Sequence, residues 1–134
     1  MGAELRRREV SFDLVLASPA QRVVETLENF EKGYGPIAPQ FEAAFYENSA
    51  ATLLNILRGI DDAVGRVLVV GHSPSLQDLG LILVASDDVS YPEIEHAFPT
   101  AAALLIELSI RNWSDVRPGT GQIAWFIKPR DLDP

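Results

Sequence analysis

His72 stands near the end of the stretch Arg66-Val67-Leu68-Val69-Val70-Gly71-His72-Ser73-Pro74-Ser75-Leu76. Val67 to Val70 is an unbroken apolar run rich in β-branched residues and reads as a strand buried on both faces. Gly71 permits a sharp turn, Ser73 or Ser75 can cap a following helix, and Pro74 suits a first helical position. A histidine at the carboxyl end of such a strand, beside an incoming helix N-terminus, is placed to meet an anion. Arg22 falls in the first turn of a helix that follows another apolar run, so it reaches the same rim if the two strands are parallel. Glu47 follows a third strand-like stretch, Phe41 to Tyr46. Arginine offers a planar fork of donors matched to phosphate and stays charged at any working pH. Histidine adds a donor or exchanges a proton near neutrality, and a carboxylic acid of raised pKa can protonate a leaving oxygen. Together the three suit phosphoryl transfer, in which positioning and charge stabilisation dominate. Each also has a plainer reading: His72 as a turn histidine, Arg22 as a surface helix residue, Glu47 as an acid ahead of a helix.

The elements that must position these residues follow from the pattern of apolar residues. Residues 2 to about 8 read as a short helix anchored by Leu5, and Phe12 to Ala17 as the first strand. Ser18-Pro19 supplies an N-cap and a first helical proline for a helix from Ala20 to about Glu31, striped by Val23, Val24 and Leu27 and ended by Gly33. Gly33 to Gln40 is a loop. Asn48 or Ser49 caps a helix from about Ala50 to Gly59, and Ser75 to Val84 has helical leucine spacing. Ala85 to Phe98 is polar, proline-bearing and irregular, and is expected to be the mobile segment, with His96 a solvated loop residue. Thr100 to Ile110 is expected as a strand because Pro99 precedes it and a turn leads to a partner at Gln122 to Lys128, which makes an antiparallel hairpin at one end of the sheet. Alternating strands and helices give an α/β sandwich with a mostly parallel sheet and a C-terminal β-hairpin, in one domain over residues 1–134.

Composition removes several alternatives. The formal charge of −8 opposes general affinity for nucleic acid. Arg6, Arg7 and Arg8 sit beside Glu4 and Glu9 and read as a solvated helix face. No apolar run approaches the ~20 residues of a bilayer span, and no secretory signal is present, so a cytoplasmic location and no membrane partner are expected. There is no cysteine, and only two histidines, His72 and His96, so neither a thiolate nor a recognised zinc spacing exists. Gly71 has no partner glycines for a dinucleotide or P-loop pattern, and Ser18 and Ser73 lack a nucleophile elbow.

Leu14-Val15-Leu16-Ala17-Ser18-Pro19-Ala20-Gln21-Arg22-Val23-Val24-Glu25-Thr26 resembles one block of the histidine phosphatase superfamily, and Val69-Val70-Gly71-His72-Ser73-Pro74-Ser75-Leu76 resembles a later one. The Pro-Ser form of that later block is similar to SixA-type phosphohistidine phosphatases. Phe98-Pro99-Thr100-Ala101-Ala102 and the ending from Trp125 to Leu132 also resemble that branch. The resemblance implies a phosphoglycerate-mutase-like three-layer sandwich and a phosphatase acting on phosphohistidine or small phosphomonoesters through a phosphohistidine intermediate, with no metal or organic cofactor. Its partners would be a phosphorylated protein or a small phosphate ester. Arg22 matches a phosphate-binding arginine, His72 matches the second histidine of the phosphate pocket, and Glu47 falls near the proton-donating acid of many members. The family's attacking histidine lies in an Arg-His-Gly or Arg-His-Ala triplet ending its first strand. No Arg-His dipeptide occurs in this sequence. The resemblance therefore implies that the first family strand and the nucleophile are missing, that the sequence is N-terminally truncated, and that the exposed sheet could pair two chains into a dimer. A catalytically inactive phosphate-binding or interaction domain is the alternative.

Overall fold

The computed structural model describes residues 1–45 and 49–132. Three strands form a parallel sheet: β1 (Leu14–Ala17), β2 (Gln40–Phe41) and β3 (Val67–Val70), in the order β2-β1-β3. β1 runs in register with β3 over its whole length, from Leu14 opposite Val67 to Ala17 opposite Val70. The first strand is shorter than its apolar run because Asp13 serves as a clasp. Its Oδ2 accepts the N–H groups of Gly65 (2.8 Å) and Arg66 (2.9 Å), and its own N–H donates to the Arg66 carbonyl. Phe12 instead joins an aromatic cluster with Phe30 and Tyr34.

Successive residues of a strand face opposite sides of the sheet, and β1 separates two cores accordingly. Ala17 packs with Val23 and Leu27 of α2 (Gln21–Tyr34). Leu16 packs with Leu53, Leu54 and Leu57 of α3 (Ala50–Arg58) and with Leu79 and Leu83 of α4 (Ser75–Leu83). Helices thus cover both faces, the three-layer α/β arrangement. Ser49 caps α3 by accepting the Thr52 N–H. Of the stretch read as a strand from Phe41 to Tyr46, Tyr46 lies outside the described residues; among those described, a short strand covers Gln40–Phe41, and Ala43–Phe45 turns into a 3-10 helix that buries Phe45 in the α3–α4 core.

The remaining strands, β4 (Ala103–Leu108) and β5 (Gly121–Ile127), form the expected antiparallel hairpin, with a register shift between Leu105 and Ile106. Among the described residues it is not hydrogen-bonded to the parallel sheet. Its outer strand, β5, meets Val84 and Ala85 instead, with the Ala85 N–H donating to the Gly121 carbonyl (3.1 Å).

The segment from Ala85 to Phe98 is more ordered than its composition suggests. It contains α5 (Tyr91–His96), whose Ile94 is completely buried. Gln77 Nε2 donates to the Ile94 carbonyl (2.7 Å), Asp88 accepts the N–H groups of Ser90 and Ile123, and Lys128 pairs with Glu93 at 2.9 Å. These ties run from side chains to distant elements, so local polarity misreads the segment.

At the other end α1 (Gly2–Arg7) lies against α2. A Cβ on Gly2 would sit 2.0 Å from the Phe30 carbonyl oxygen, and one on Gly33 2.6 Å from the Ala3 nitrogen, so glycine is required at this crossing. The basic run is engaged within the protein. Arg6 donates to the Tyr34 carbonyl (2.7 Å), Arg7 and Arg8 pair with Glu4, and Arg8 lies over the Trp125 ring. The two guanidinium groups hold the Glu4 carboxyl down at about 2 from its ordinary 4.5. A depressed acid stabilises the folded state above its unfolded pKa and loses that contribution as pH falls through the folded value. A carbon-detected titration should therefore place the Glu4 midpoint near 2 and show α1 loosening only between pH 4.5 and 2. Arg7→Ala combined with Arg8→Ala should return the midpoint towards 4.5.

Candidate functional site

Parallel register brings the carboxyl ends of β1 and β3 to one level, and both chains turn there towards helices. The Ser18 N–H donates to the Val70 carbonyl (3.0 Å), and the fully buried Ser18 hydroxyl accepts the Ala20 N–H (3.2 Å). Ser18 therefore shapes the turn rather than capping the helix. Ala20 occupies the N-cap and α2 begins at Gln21, two residues later than Ser18-Pro19 suggests, and continues to Tyr34. The chain leaves that helix through Gly35, not Gly33, at a φ of +108° that glycine adopts freely.

Arg22 is the second residue of α2 and is exposed. The first turn of that helix contains no acidic residue. A cation there opposes the helix dipole, whose N-terminus is positive, so helix stability gives no reason for Arg22.

His72 lies two residues beyond β3 and is half-buried. The following Ser73–Pro74 peptide is cis, and Pro74 itself holds the N-cap of α4. Proline at the N-cap supplies no side-chain hydrogen bond, so the helix does not start from a Ser73 cap with Pro74 as its first residue. Arg22 and His72 line the same end of a cavity of 1210 Å³, together with Ser73 and the turn from Phe98 to Ala101. In that turn the Ala102 N–H donates to the Pro99 carbonyl (3.0 Å), and Ala101 adopts a left-handed φ of +65°, uncommon for a residue with a Cβ. Thr100 thereby comes to the cavity wall. Its type and spacing gave no chemical signal, since only the fold brings this turn to the rim.

Among the described residues, no hydrogen bond or ion pair engages the side chain of Arg22 or His72. The cavity end thus offers a guanidinium fork, an imidazole and hydroxyls between the starts of two helices, a donor set suited to a tetrahedral oxyanion. Glu47, the candidate acid, lies outside the described residues. His96 ends α5, exposed, rather than lying in a loop, and it does not line the cavity. Among the described residues no group of three His, Asp or Glu side chains could hold a metal ion, and no helix is long and apolar enough to cross a membrane.

No family model matches the chain. Uncharacterised proteins from two strains of Mycobacterium tuberculosis are each 30% identical over 133 residues, covering 96% of this chain and 81% of theirs. One from Mycobacterium leprae is 26% identical over 132 residues, covering 96% and 79%. Among solved structures, the chain is similar to a Nakamurella multipartitia protein assigned as phosphohistidine phosphatase SixA, with a TM-score of 0.81 and 21% identity over 96% of this chain and 77% of that one. It is also similar to the protein histidine phosphatase SixA complexed with tungstate, with a TM-score of 0.76 and 22% identity over 98% and 78%.

Proposed function

The chain belongs to the family of these mycobacterial proteins and has the SixA-type histidine phosphatase fold, and from that premise we propose that its Arg22–His72 rim binds a phosphoryl group. The observation carrying this reading is the delivery of both side chains, unengaged, to one cavity end at the carboxyl rim of the parallel sheet. A related fold holds tungstate, an oxyanion of similar shape and charge to phosphate. The substrate class is a phosphohistidine protein or a small phosphate ester.

The reaction is that of the histidine phosphatase type. A histidine nitrogen attacks phosphorus, an N–P bond forms as the bond to the leaving group breaks, and water then cleaves the phosphohistidine to release phosphate. Arg22 would hold two phosphoryl oxygens with its fork, and His72 would donate to a third as charge develops there. The chain's other histidine, His96, does not line this cavity, so residues 1–134 supply the phosphate-holding groups without an evident attacking histidine. Glu47 is the candidate proton donor to a leaving oxygen; a phosphohistidine leaving nitrogen would need less help.

Thermal melting in tungstate, vanadate and phosphate, paired with release of p-nitrophenol from its phosphate ester, tests the reading. Oxyanion-dependent stabilisation together with turnover abolished in His72→Ala supports a phosphatase. Stabilisation without turnover supports a phosphate-binding domain, the second reading favoured by the single histidine at the rim. No stabilisation by any of the three anions overturns both.

A further inference from the structure

Among the described residues, three other than glycine adopt a left-handed φ: Glu9 at +58°, Ala38 at +49° and Ala101 at +65°. Glu9 stands just past the end of α1. Its N–H donates to the Arg6 carbonyl (3.0 Å) and the Val10 N–H to the Leu5 carbonyl (3.0 Å), an ordinary left-handed helix ending. Ala38 lies in the connection from α2 to β2 and does not line the cavity. Of the three, only Ala101 lines it, beside Thr100 at the Arg22–His72 end. Left-handed backbone is costly for a residue with a Cβ, and glycine would remove that cost. Backbone held in this region persists only where the surrounding structure fixes it, and it gathers at ligand-holding segments.

The hydrogen bond from the Ala102 N–H to the Pro99 carbonyl closes a four-residue turn with Thr100 and Ala101 at its centre. A left-handed φ at the third residue and not at the second is the type II pattern, in which glycine or asparagine ordinarily takes the third place. Both ends of this turn are anchored. Before it, Phe98 stacks on Phe126 at 5.4 Å with 21° between the rings, and Lys128 stands 5.9 Å over Phe126 while paired with Glu93 of α5 at 2.9 Å. After it, Ala103 opens β4 opposite the buried Ile127. Thr100 and Ala101 are exposed at the tip between those anchors. Serine and threonine hydroxyls commonly bond to nearby main chain. Thr120 does so with the Arg117 carbonyl (2.7 Å), and Thr26 with the Arg22 carbonyl (2.8 Å). Among the described residues no hydrogen bond engages the Thr100 hydroxyl, its N–H or the Ala101 N–H.

We propose that Thr100 is a third anion-binding residue at this end of the cavity, its hydroxyl donating to an oxygen of the bound oxyanion, and that the left-handed Ala101 positions it. The proposal rests on the Arg22–His72 reading and adds to it a donor from a third element. Arg22 comes from the start of α2, His72 from the turn after β3 and Thr100 from the turn before β4. A tetrahedral oxyanion presents its oxygens in divergent directions, and each has lone pairs for more than one donor, so donors converging from three elements hold it more completely than donors from two. A hydroxyl adds no charge. Arg22 supplies the attraction, and Thr100 contributes direction. Alanine at 101 leaves the tip fewer alternative conformations than glycine would, so the donor is held in place before the anion arrives.

Calorimetric titration of the 134-residue chain with tungstate, beside melting temperatures in anion-free buffer, tests both residues. Thr100→Val keeps the side-chain shape and removes the donor, so tungstate should bind about tenfold more weakly with the anion-free melting temperature unchanged. Thr100→Ser restores the hydroxyl and should bind within about threefold of the parent. Ala101→Gly keeps the left-handed turn and should also bind within about threefold, whereas Ala101→Val, whose branched Cβ opposes that φ, should lose about fivefold or more. Thr100→Val combined with Ala101→Val should bind no more weakly than Thr100→Val alone, because both remove one contact. Binding by Thr100→Val equal to the parent, or a loss matched by an equal loss of anion-free stability, overturns the proposal. If Arg22→Ala still loses binding in that case, the Arg22–His72 reading stands without it. No binding of tungstate by the parent overturns the two together. Equal binding by Ala101→Gly and Ala101→Val overturns the positioning role.

Discussion

Arg22→Ala is expected to weaken binding of tungstate or phosphate by about 10- to 100-fold while leaving the melting temperature in anion-free buffer close to that of the parent. The first part follows from charge-assisted hydrogen bonds, worth about 1.5–3 kcal/mol each, at roughly tenfold in affinity per 1.4 kcal/mol. The second follows from the position of Arg22. Its side chain is exposed and engages no protein partner among the described residues, and its charge opposes the dipole of α2. Removing it costs the fold nothing that the structure identifies. Arg22→Lys separates charge from shape: an ammonium keeps the attraction but loses the two parallel donors, so an intermediate loss is expected. Anion titrations followed by melting temperature measure all three proteins. If Arg22→Ala and the parent bind tungstate equally, the rim is not the anion site. A loss of stability in anion-free buffer as large as the loss in anion would instead make Arg22 a structural residue.

Much of this site was legible in the sequence because its parts are local. Val67 to Val70 appears as a strand with the bounds expected of it, and Ser49 caps α3 as the Asn48-Ser49 pair suggests. Arg22 and His72 reach a common rim because each follows a parallel strand within a few residues, and parallel pairing fixes which ends coincide. The helix starts were less legible. Ser18-Pro19 and Ser73-Pro74 both look like a cap and a first helical proline, yet Ser18 is used in a buried turn and Pro74 takes the cap position itself. The same residue types satisfy both geometries, and only the surrounding packing selects between them. Thr100 and Ala101 illustrate the opposite limit, since they border the site through a turn about thirty residues from His72 in the chain, with no periodic signal of its own. The half-burial of β3 and β4 was likewise invisible in local patterns. A both-faces-buried apolar run announces a central strand but not which neighbour stands beside it.

Ile94→Ala is expected to produce the largest loss of stability, about 2–5 kcal/mol, because it removes a completely buried side chain and leaves a cavity behind. For a domain of this size that is on the order of 10 °C in melting temperature. The expectation runs against composition, since Ala85 to Phe98 carries four acidic residues and a proline, and Ile94 is the buried residue of its six-residue helix. A helix this short has little stability of its own and is held by what it packs against and bonds to. Gln77 reaches the Ile94 carbonyl and Lys128 reaches Glu93, so loosening Ile94 unseats both ties together. The consequence extends to the site. α5 leads directly into the Phe98–Ala102 turn at the cavity end, and Phe98 stacks on Phe126 of β5 at 5.4 Å between ring centroids. Ile94→Ala should therefore weaken oxyanion binding as well, although the residue is not part of the cavity lining. Val89→Ala, two residues ahead of α5 in sequence yet 94% exposed, serves as the comparison and should change stability by no more than about 0.5 kcal/mol. Equal melting temperatures for the two variants would mean that α5 contributes no packing, and the ordered reading of this segment would fail with it.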